Sequence, residues 1–273
     1  MCIVQIIKLQ KRGECMKKTY SFFSAFLLLS ILLNITTVYG ISWYCAREKN
    51  NIQPSLGKDL LFSEKYDLFW CDKSHKSMDE DKVIYLTFDA GYENGNVEKI
   101  VDVLNRQNVK GAFFVLDNFL TKNKELVNKM IKSGHTIGNH TFKHADMTKV
   151  KTKDAFKEEL EKLEKLYLDL YGVNMSKYYR PPEGKFNEDN LKWASELGYK
   201  TIMWSFAYAD WDNGKQPSKE YALKKIYDNL HNGEVMLLHP TSSTNAEILE
   251  EVIVELKKQG FRFGTLDELC QNN

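Results

Sequence analysis

A chain of 273 residues, of which 43% are hydrophobic and 12% aromatic, is long enough to bury one large core or two smaller ones. Its formal net charge of +1 provides no electrostatic case for binding nucleic acid or an acidic membrane surface. We therefore expect no nucleic-acid partner.

The N-terminal segment is predicted to direct export. Lys17 and Lys18 precede a long uncharged, apolar run, which is typical of a signal peptide and is also long enough to span a bilayer uncleaved. We predict that residues 1–40 form a signal peptide or a membrane anchor, that any membrane contact is made there, and that the working domain lies outside the cytoplasm. Met16 is an alternative start, which would leave residues 1–15 outside the native protein.

Residues 41–82 are polar, with scattered aromatic side chains and no sustained period. We interpret them as a linker and an N-terminal flap on the main domain, with a short helix near residues 58–70.

Of the five cysteines, Cys45, Cys71 and Cys270 follow the predicted leader. Their spacing matches no zinc motif. Either two of them form a disulfide, in an oxidising compartment, or all three remain unpaired.

From residue 83 onward, apolar runs of strand length alternate with segments of helical period. The predicted strands are Val83–Phe88, Gly111–Val115, Thr136–Ile137, Tyr178–Tyr179, Thr201–Ser205, Val235–Leu238 and Phe261–Gly264. The predicted helices between them are Asn96–Gln107, Thr121–Ser133, Thr152–Tyr171, Asn187–Leu197, Ser218–His231 and Asn245–Gln259. Such alternation predicts parallel strands joined by crossover helices. The number of strands suits either a barrel or a doubly wound sheet.

Polar side chains that could carry chemistry follow five of the predicted strands. They are Asp89, then His140 with His144, Arg180 with Glu183, Asp210 with Trp211, and His239. Because the carboxyl ends of parallel strands lie on one face of the fold, we expect these side chains to surround one pocket.

His140 and His144 have the i, i+4 spacing that lets two imidazoles share one metal ion on a helical turn. Thr141 stands where the zinc-metalloprotease motif has its glutamate, which excludes that class of protease. The alternative for such a pair is a solvated helix face, but its place after a strand end favours metal binding.

The remaining groups each have a functional and a structural interpretation. Asp89 is a metal ligand, a general base or a cap of its own turn. Arg180, fixed before two prolines, either faces Asp89 and keeps it ionised or lies on the surface. His239 is either a core histidine or a proton donor that Asp210 orients and keeps protonated.

Taken together, these groups suit hydrolysis of an acyl bond. A metal ion with open positions activates water, a carboxylate takes a proton, and a protonated histidine gives one to the leaving group. The oxyanion of the tetrahedral intermediate then needs the metal ion and a backbone N–H. Trp211 and Leu238 are predicted to line an apolar slot, although core packing would explain them nearly as well.

Five motifs follow one another in a recognisable order: Thr87-Phe88-Asp89, His140-x-x-x-His144, Arg180-Pro181-Pro182-x-Gly184, Asp210-Trp211 and Leu238-His239. They resemble the motifs of the NodB-homology polysaccharide deacetylases, carbohydrate esterase family four, over residues 83–269. The resemblance implies an α/β fold, a distorted (β/α) barrel of about seven parallel strands. It also implies de-N-acetylation of a sugar of the N-acetylglucosamine or N-acetylmuramic acid type.

The same resemblance implies a role for each polar group at the site. Asp89 resembles the base and Arg180 the residue that positions it. His239 resembles the acid, with Asp210 behind it. The backbone N–H of Glu183 resembles an oxyanion donor.

His140 and His144 resemble the ligands of a divalent metal ion, with zinc the preferred identity. The family motif has a second aspartate after the base, which binds the metal, and here that position is Ala90. Two histidines are one short of the three protein ligands usual at catalytic zinc. We therefore expect weaker binding, or recruitment of a substitute such as Asn94 or Asp146.

The stretches FDAGYENG, WSFAYADW and LLHP are similar to the delta-lactam-biosynthetic de-N-acetylases of endospore formers. This resemblance implies removal of acetyl from N-acetylmuramic acid in spore-cortex peptidoglycan, in the forespore intermembrane space, followed by closure to muramic-δ-lactam. Two alternatives stay open: deacetylation of N-acetylglucosamine in peptidoglycan, chitin or exopolysaccharide, and a catalytically silent glycan-binding protein.

Overall fold

The computed structural model describes residues 40–48 and 51–272. Residues Gly40–Asn273 form one compact unit. Apart from Gly40, the predicted leader lies outside the described residues. Within the described part of the chain, no helix has the length and apolar character needed to cross a membrane.

A curled sheet of eight parallel strands forms the centre of the unit. Its strands are β2 (Leu68–Phe69), β3 (Lys82–Ala90), β4 (Ala112–Val115), β5 (Thr136–Asn139), β6 (Tyr178–Tyr179), β8 (Lys200–Ile202), β9 (Glu234–Leu238) and β10 (Phe261–Phe263). The order is β10-β3-β4-β5-β6-β8-β2, and β9 also pairs with β3. All seven predicted strands are present, and β2 is an addition.

The curl brings the chain after β8 against β9, so that the sheet approaches a barrel. Ser205 N and Phe206 N donate to Val235 O (3.0 and 3.2 Å), and Leu237 N donates to Phe206 O (2.9 Å). The predicted distorted (β/α) barrel is therefore confirmed, and the doubly wound alternative is excluded.

Seven helices cover the outside of this sheet in the described part of the chain: Val97–Arg106, Asp117–Lys122, Lys124–Lys132, Lys153–Tyr171, Glu188–Glu196, Lys219–Asp228 and Ser243–Lys258. The helix Leu266–Asn272 instead packs Leu266 and Leu269 against Val83 and Tyr85, which face the inside of the barrel. Thr152, Asn187 and Ser218 cap three of these helices, since their side chains accept hydrogen bonds from backbone N–H groups of the first turn. The single helix predicted over 121–133 is two helices that meet at Asn123, and the last helix was not predicted.

Strand β3 shows how the barrel separates its two faces. Side chains alternate along a strand: Val83 and Tyr85 join an inner cluster, whereas Ile84, Leu86, Phe88 and Ala90 join the core beneath the helices. Thr87 and Asp89 continue the inner face toward the carboxyl end of the strand. The catalytic candidate Asp89 therefore faces the barrel interior, and its neighbour Ala90 faces the helices.

Residues before β3 belong to the same unit. Strand β1 (Ile41–Ser42) pairs antiparallel with β7 (Lys185–Phe186), and a 3-10 helix at Leu61–Lys65 precedes β2. Trp43 and Trp70 are buried in a cluster with Cys71. The sequence predicts a linker and flap for this segment. In the structure, its short strands and buried tryptophans form part of the core.

The described cysteines, Cys45, Cys71 and Cys270, carry no disulfide in the structure. Of the two alternatives left open, the structure has the unpaired thiols.

Candidate active site

The five polar groups that follow predicted strands surround one pocket at the carboxyl ends of the barrel strands. Asp89 is at the end of β3, His140 follows β5, Arg180 follows β6 and His239 follows β9. The pocket is lined by Asp89, His140, His144, Glu183, Trp211 and His239, together with Gly91, Tyr92, Leu116, Asp117, Asn118, Lys143, Gly184, Trp204, Ala207, Tyr208, Leu237 and Thr241.

Asp89 and Arg180 form an ion pair at the base of the pocket. Arg180 Nη1 donates to Asp89 Oδ1 at 2.9 Å. The Arg180 side chain is fully buried, whereas 11% of the Asp89 side chain is exposed. One carboxylate oxygen is thus held by a fixed cation, and the other is left to face the pocket.

The interior of the barrel supplies the remaining contacts of Arg180. Its Nε donates to Ile202 O (2.8 Å) and its Nη2 to Thr87 Oγ1 (2.9 Å). Its guanidinium carbon lies 4.2 Å from the centroid of the Phe114 ring, a distance suited to a cation–π contact. Arg180 is therefore a rigid positioning group. Thr87, two residues before Asp89 on the same strand face, is a member of this network that sequence reasoning quoted without assigning a role.

The charge of Arg180 sets the protonation state of Asp89. Burial by itself would raise the pKa of this carboxyl, but the charges of Arg180, His140 and His239 and the Arg180 hydrogen bond outweigh burial and lower it below its ordinary value. Asp89 is therefore ionised at neutral pH and available to accept a proton.

His239 and Asp210 form the second charged pair. His239 Nδ1 lies 2.7 Å from Asp210 Oδ1, and the His239 backbone N–H donates to Asp210 Oδ2 at 2.8 Å. Burial alone would lower the pKa of His239, but the hydrogen bond and charge of Asp210, with the charge of Asp89, raise it above 6.5. The imidazole is 26% exposed and can therefore present a proton to a ligand in the pocket.

Asn245 and Tyr208 support Asp210 from behind, and sequence reasoning missed both in this role. The buried Asn245 Nδ2 donates to Asp210 Oδ2 at 2.6 Å and to His239 O at 3.1 Å. The Tyr208 hydroxyl donates in turn to Asn245 Oδ1. The sequence predicts Asn245 only as the start of a helix. Because it is 35 positions from Asp210, no sequence pattern indicates their contact.

His140 and His144 come together, but not on a helical turn. Residues 140–146 contain no helix, and both Thr141 and His144 have left-handed backbone (φ 69° and 59°). The two ring centroids are nevertheless 5.0 Å apart. The predicted helical geometry was wrong, since an irregular loop after β5 creates the juxtaposition.

The tautomer of His140 follows from its partners. His140 Nδ1 lies 2.8 Å from the Arg180 carbonyl oxygen, which only accepts, so Nδ1 carries the proton. Its Nε2 lies 3.7 Å from Asp89 Oδ2. Burial lowers the pKa of His140 to about 4. The ring is therefore neutral at neutral pH, and its free lone pair faces the pocket.

These donors do not complete a three-ligand metal site. Among the described residues, no group of three or more His, Cys, Asp or Glu side chains is arranged to hold a metal ion. Ala90 offers no donor atom and is packed beneath the helices. The suggested substitutes are engaged elsewhere: Asn94 bonds to Thr241 O and Asn96 N, and Asp146 caps the turn at Thr148.

The predicted substrate contacts differ in their placement. Trp211 is 61% exposed at the pocket, with its ring 6.2 Å from that of His239. Glu183 also lines the pocket, with left-handed backbone (φ 57°). Leu238 is instead buried in the core, and Leu237 lines the pocket. The register explains this, because Leu237 pairs with Thr87 of the inner face and Leu238 pairs with Phe88 of the outer face.

Comparison with known proteins places this site in a family. The model for polysaccharide deacetylases matches residues 76–202. The peptidoglycan-N-acetylmuramic acid deacetylase PdaA of Bacillus subtilis is 41% identical over 84% of this chain and 85% of its own length. The chain belongs to the polysaccharide deacetylase family. It is thus a hydrolase that acts on N-acetyl amide bonds.

Two further similarities extend this result. The structure of B. subtilis PdaA, a family 4 carbohydrate esterase, matches this deacetylase with a TM-score of 0.78 and 40% identity, over 84% of this chain and 96% of that one. A peptidoglycan-N-acetylglucosamine deacetylase of Bacillus cereus is 34% identical over 70% of this chain and 69% of its own length. Family 4 deacetylases generally use a divalent metal ion, and this deacetylase has Ala90 at one of the positions concerned.

Proposed function

We propose that this deacetylase removes the acetyl group from N-acetylmuramic acid in peptidoglycan, and that the freed amine then closes onto the lactyl carboxyl as muramic-δ-lactam. The proposed deacetylation mechanism rests on one observation: two charged pairs, Asp89–Arg180 and His239–Asp210, converge on one pocket. The similarity to the B. subtilis muramic acid deacetylase supports the choice of sugar.

In the proposed reaction, Asp89 is the general base. Its pKa is lowered, so it is ionised, and Arg180 holds one oxygen while the other faces the pocket. A water molecule beside that oxygen loses its proton to Asp89 as the water oxygen bonds to the acetyl carbonyl carbon. The Glu183 backbone N–H is proposed to stabilise the resulting oxyanion.

His239 is the proposed general acid. Asp210 raises its pKa, which favours the protonated imidazole that a proton donor requires. When the carbon–nitrogen bond breaks, His239 gives this proton to the departing amine, and acetate and the free amino sugar are released. The Asp210–Asn245 contact keeps the imidazole oriented through the cycle.

A divalent cation, zinc by preference, is proposed to bind weakly at His140 and His144. When bound there it would lower the pKa of a water molecule and polarise the acetyl carbonyl. With two histidines and no carboxylate at position 90, the affinity is expected to lie below that of a three-ligand site.

The test is mass spectrometry of peptide-free peptidoglycan glycan after incubation with the protein, with and without added zinc. Loss of acetyl from muramic acid, followed by loss of water, supports the proposal in both parts. Acetyl loss from glucosamine alone would instead assign the activity named for the B. cereus relative. Acetyl loss from muramic acid without loss of water would support the muramic acid deacetylase activity and contradict lactam closure.

The place of action is part of the same proposal. The basic and apolar residues 1–40, and a substrate that lies outside the cytoplasmic membrane, support an extracytoplasmic protein in the sporulating cell. Fractionation with an antibody to the folded unit would test it, and recovery in the cytoplasmic fraction would contradict it.

A further inference from the structure

Lys143 is the one lysine or arginine among the described residues that line the pocket. Its ammonium group bonds to Asp117 Oδ2 at 2.5 Å. The Lys143 side chain is 66% exposed, whereas that of Asp117 is 13% exposed. An ammonium has three donor hydrogens, and Asp117 takes one. The ammonium also lies 5.2 Å from the centroid of the Phe142 ring, and the exposure of the side chain leaves it accessible to a ligand in the pocket.

The backbone that carries Lys143 is fixed on two sides. The N–H groups of Phe142 and Lys143 lie 3.1 and 3.3 Å from Glu159 Oε1 and donate to it. Asp117 N donates to Phe142 O at 3.2 Å, which ties the loop after β5 to the end of β4. The backbone from which Lys143 extends is therefore fixed, and Asp117 restrains its ammonium group, which lowers the entropy lost when it binds a ligand.

The carboxylates that line the pocket are each in contact with a cation. Asp89 pairs with Arg180, Asp117 with Lys143 and Glu183 with Lys185. Of these three cations, Lys143 is the one that itself lines the pocket, so the carboxylate of an anionic amino sugar can approach it directly. A neutral amino sugar gains nothing from this charge.

We infer that Lys143 is the residue by which this deacetylase distinguishes a carboxylate-bearing amino sugar from a neutral one. The inference rests on the proposed function. In muramic acid the lactyl ether is on the ring carbon next to the one that carries the acetamide. With the acetamide between Asp89 and His239, the lactyl carboxylate stays inside the same pocket. Lys143 pairs with it there, while Asp117 keeps the ammonium in place.

The experiment compares two forms of one peptide-free muramyl glycan, with its lactyl carboxylates free and with them converted to amides. The rate of acetyl loss from the muramic residue is measured by mass spectrometry for each form. Wild-type protein is expected to prefer the free carboxylate. In Lys143→Met this preference should fall about tenfold, the value of a charge-assisted hydrogen bond. Lys143→Arg keeps the charge and should keep most of the preference.

Lys165→Met is the matched control, because Lys165 is also an exposed lysine paired with an aspartate, Asp169, but lies on an outer helix away from the pocket. It should retain the wild-type preference. Thermal melting of each variant establishes that it is folded.

The outcomes separate the two proposals. If wild-type protein deacetylates muramic acid and Lys143→Met keeps the full preference for the carboxylate, the inference fails and the proposed function stands. If wild-type protein removes acetyl from the amidated glycan as fast as from the glycan with free carboxylates, the inference also fails and the proposed function stands. If no acetyl is lost from muramic acid in either form, both are overturned.

Discussion

Asp89, of which 11% of the side chain is exposed, and the fully buried Glu234 are carboxylates on adjacent, paired strands of the barrel, and their pKa values move in opposite directions. Asp89 lies at the carboxyl end of β3 in contact with Arg180, and its pKa is lowered. Glu234 begins β9 and is fully buried. Its pKa is raised well above the ordinary value, because burial outweighs the hydrogen bond from the His231 backbone. Its Oε1 has no hydrogen-bond partner.

The difference lies in the partner rather than in the depth of burial. Arg180 brings a permanent positive charge to Asp89. The nearest ring to Glu234 is that of His231, 3.3 Å from Oε2, and burial lowers the pKa of His231 to about 4, so the ring is neutral at neutral pH. Of these two carboxylates, the one in contact with a cation is thus a charged base, and the one without such a contact is a neutral acid.

The largest expected effect comes from removing the charge of Asp89. Asp89→Asn keeps an oxygen for the Arg180 hydrogen bond but cannot take a proton from water. The rate of acetyl release should fall by about 10²- to 10⁴-fold, the usual contribution of a general base. Circular dichroism should show a folded protein. Retention of substantial activity by this variant would remove the base assignment.

The next effect probes the acid in the same way. Asp210→Asn removes the charge that raises the pKa of His239, so the imidazole should lose its proton at lower pH. The alkaline limb of the rate–pH profile should therefore move to lower pH. The maximal rate should fall about ten- to a hundredfold through loss of a charge-assisted hydrogen bond. An alkaline limb that stays where it is would show that Asp210 does not control the acid.

A further buried carboxylate can be created at position 90, where Ala90 is packed beneath the helices. Ala90→Asp introduces a carboxylate without an arginine in contact, and in chelated buffer it should lower the free energy of unfolding by about 2 kcal/mol. Because the side chain at position 90 faces the helices and His140 and His144 line the pocket, zinc held by the two histidines should not supply the missing charge. The melting temperature of this variant should therefore rise with zinc no more than that of wild type or Ala90→Asn. A larger rise in Ala90→Asp would show that the end of β3 can turn this carboxylate toward the pocket.

The smallest effect is expected at Glu234. Because its folded-state pKa is raised above the unfolded value, its stability contribution is complete at low pH and is lost as pH rises through the folded pKa. Glu234→Gln cannot ionise and so does not lose stability as pH rises. The free energy of denaturant unfolding of this variant, relative to wild type, should therefore increase from acidic to alkaline buffer. Glu161→Gln, at an exposed helix position, should show no such trend. A constant difference across pH would mean that Glu234 is not neutral in the fold.

Much of the site was predictable because its residues mark strand ends. Asp89, Arg180 and His239 directly follow an apolar run and His140 comes three positions after Ile137, and parallel strands bring such positions to one face. Leu238 was misplaced for a related reason: alternation alone does not say which of two adjacent leucines faces inward. The pairing of β9 with β3 decides this in favour of Leu237.

By itself, the sequence determined the alternation of strands and helices, the family resemblance and most of the residues that approach the pocket, because these depend on local pattern and order along the chain. The pattern alone left a barrel and a doubly wound sheet open. Only the tertiary structure decided the protonation of Asp89 and Glu234, the support of Asp210 by Asn245, and the position of Lys143 beside Asp117. These depend on contacts between residues distant in sequence, whose distances and burial set the electrostatic energies. Such contacts exist only once the barrel has closed.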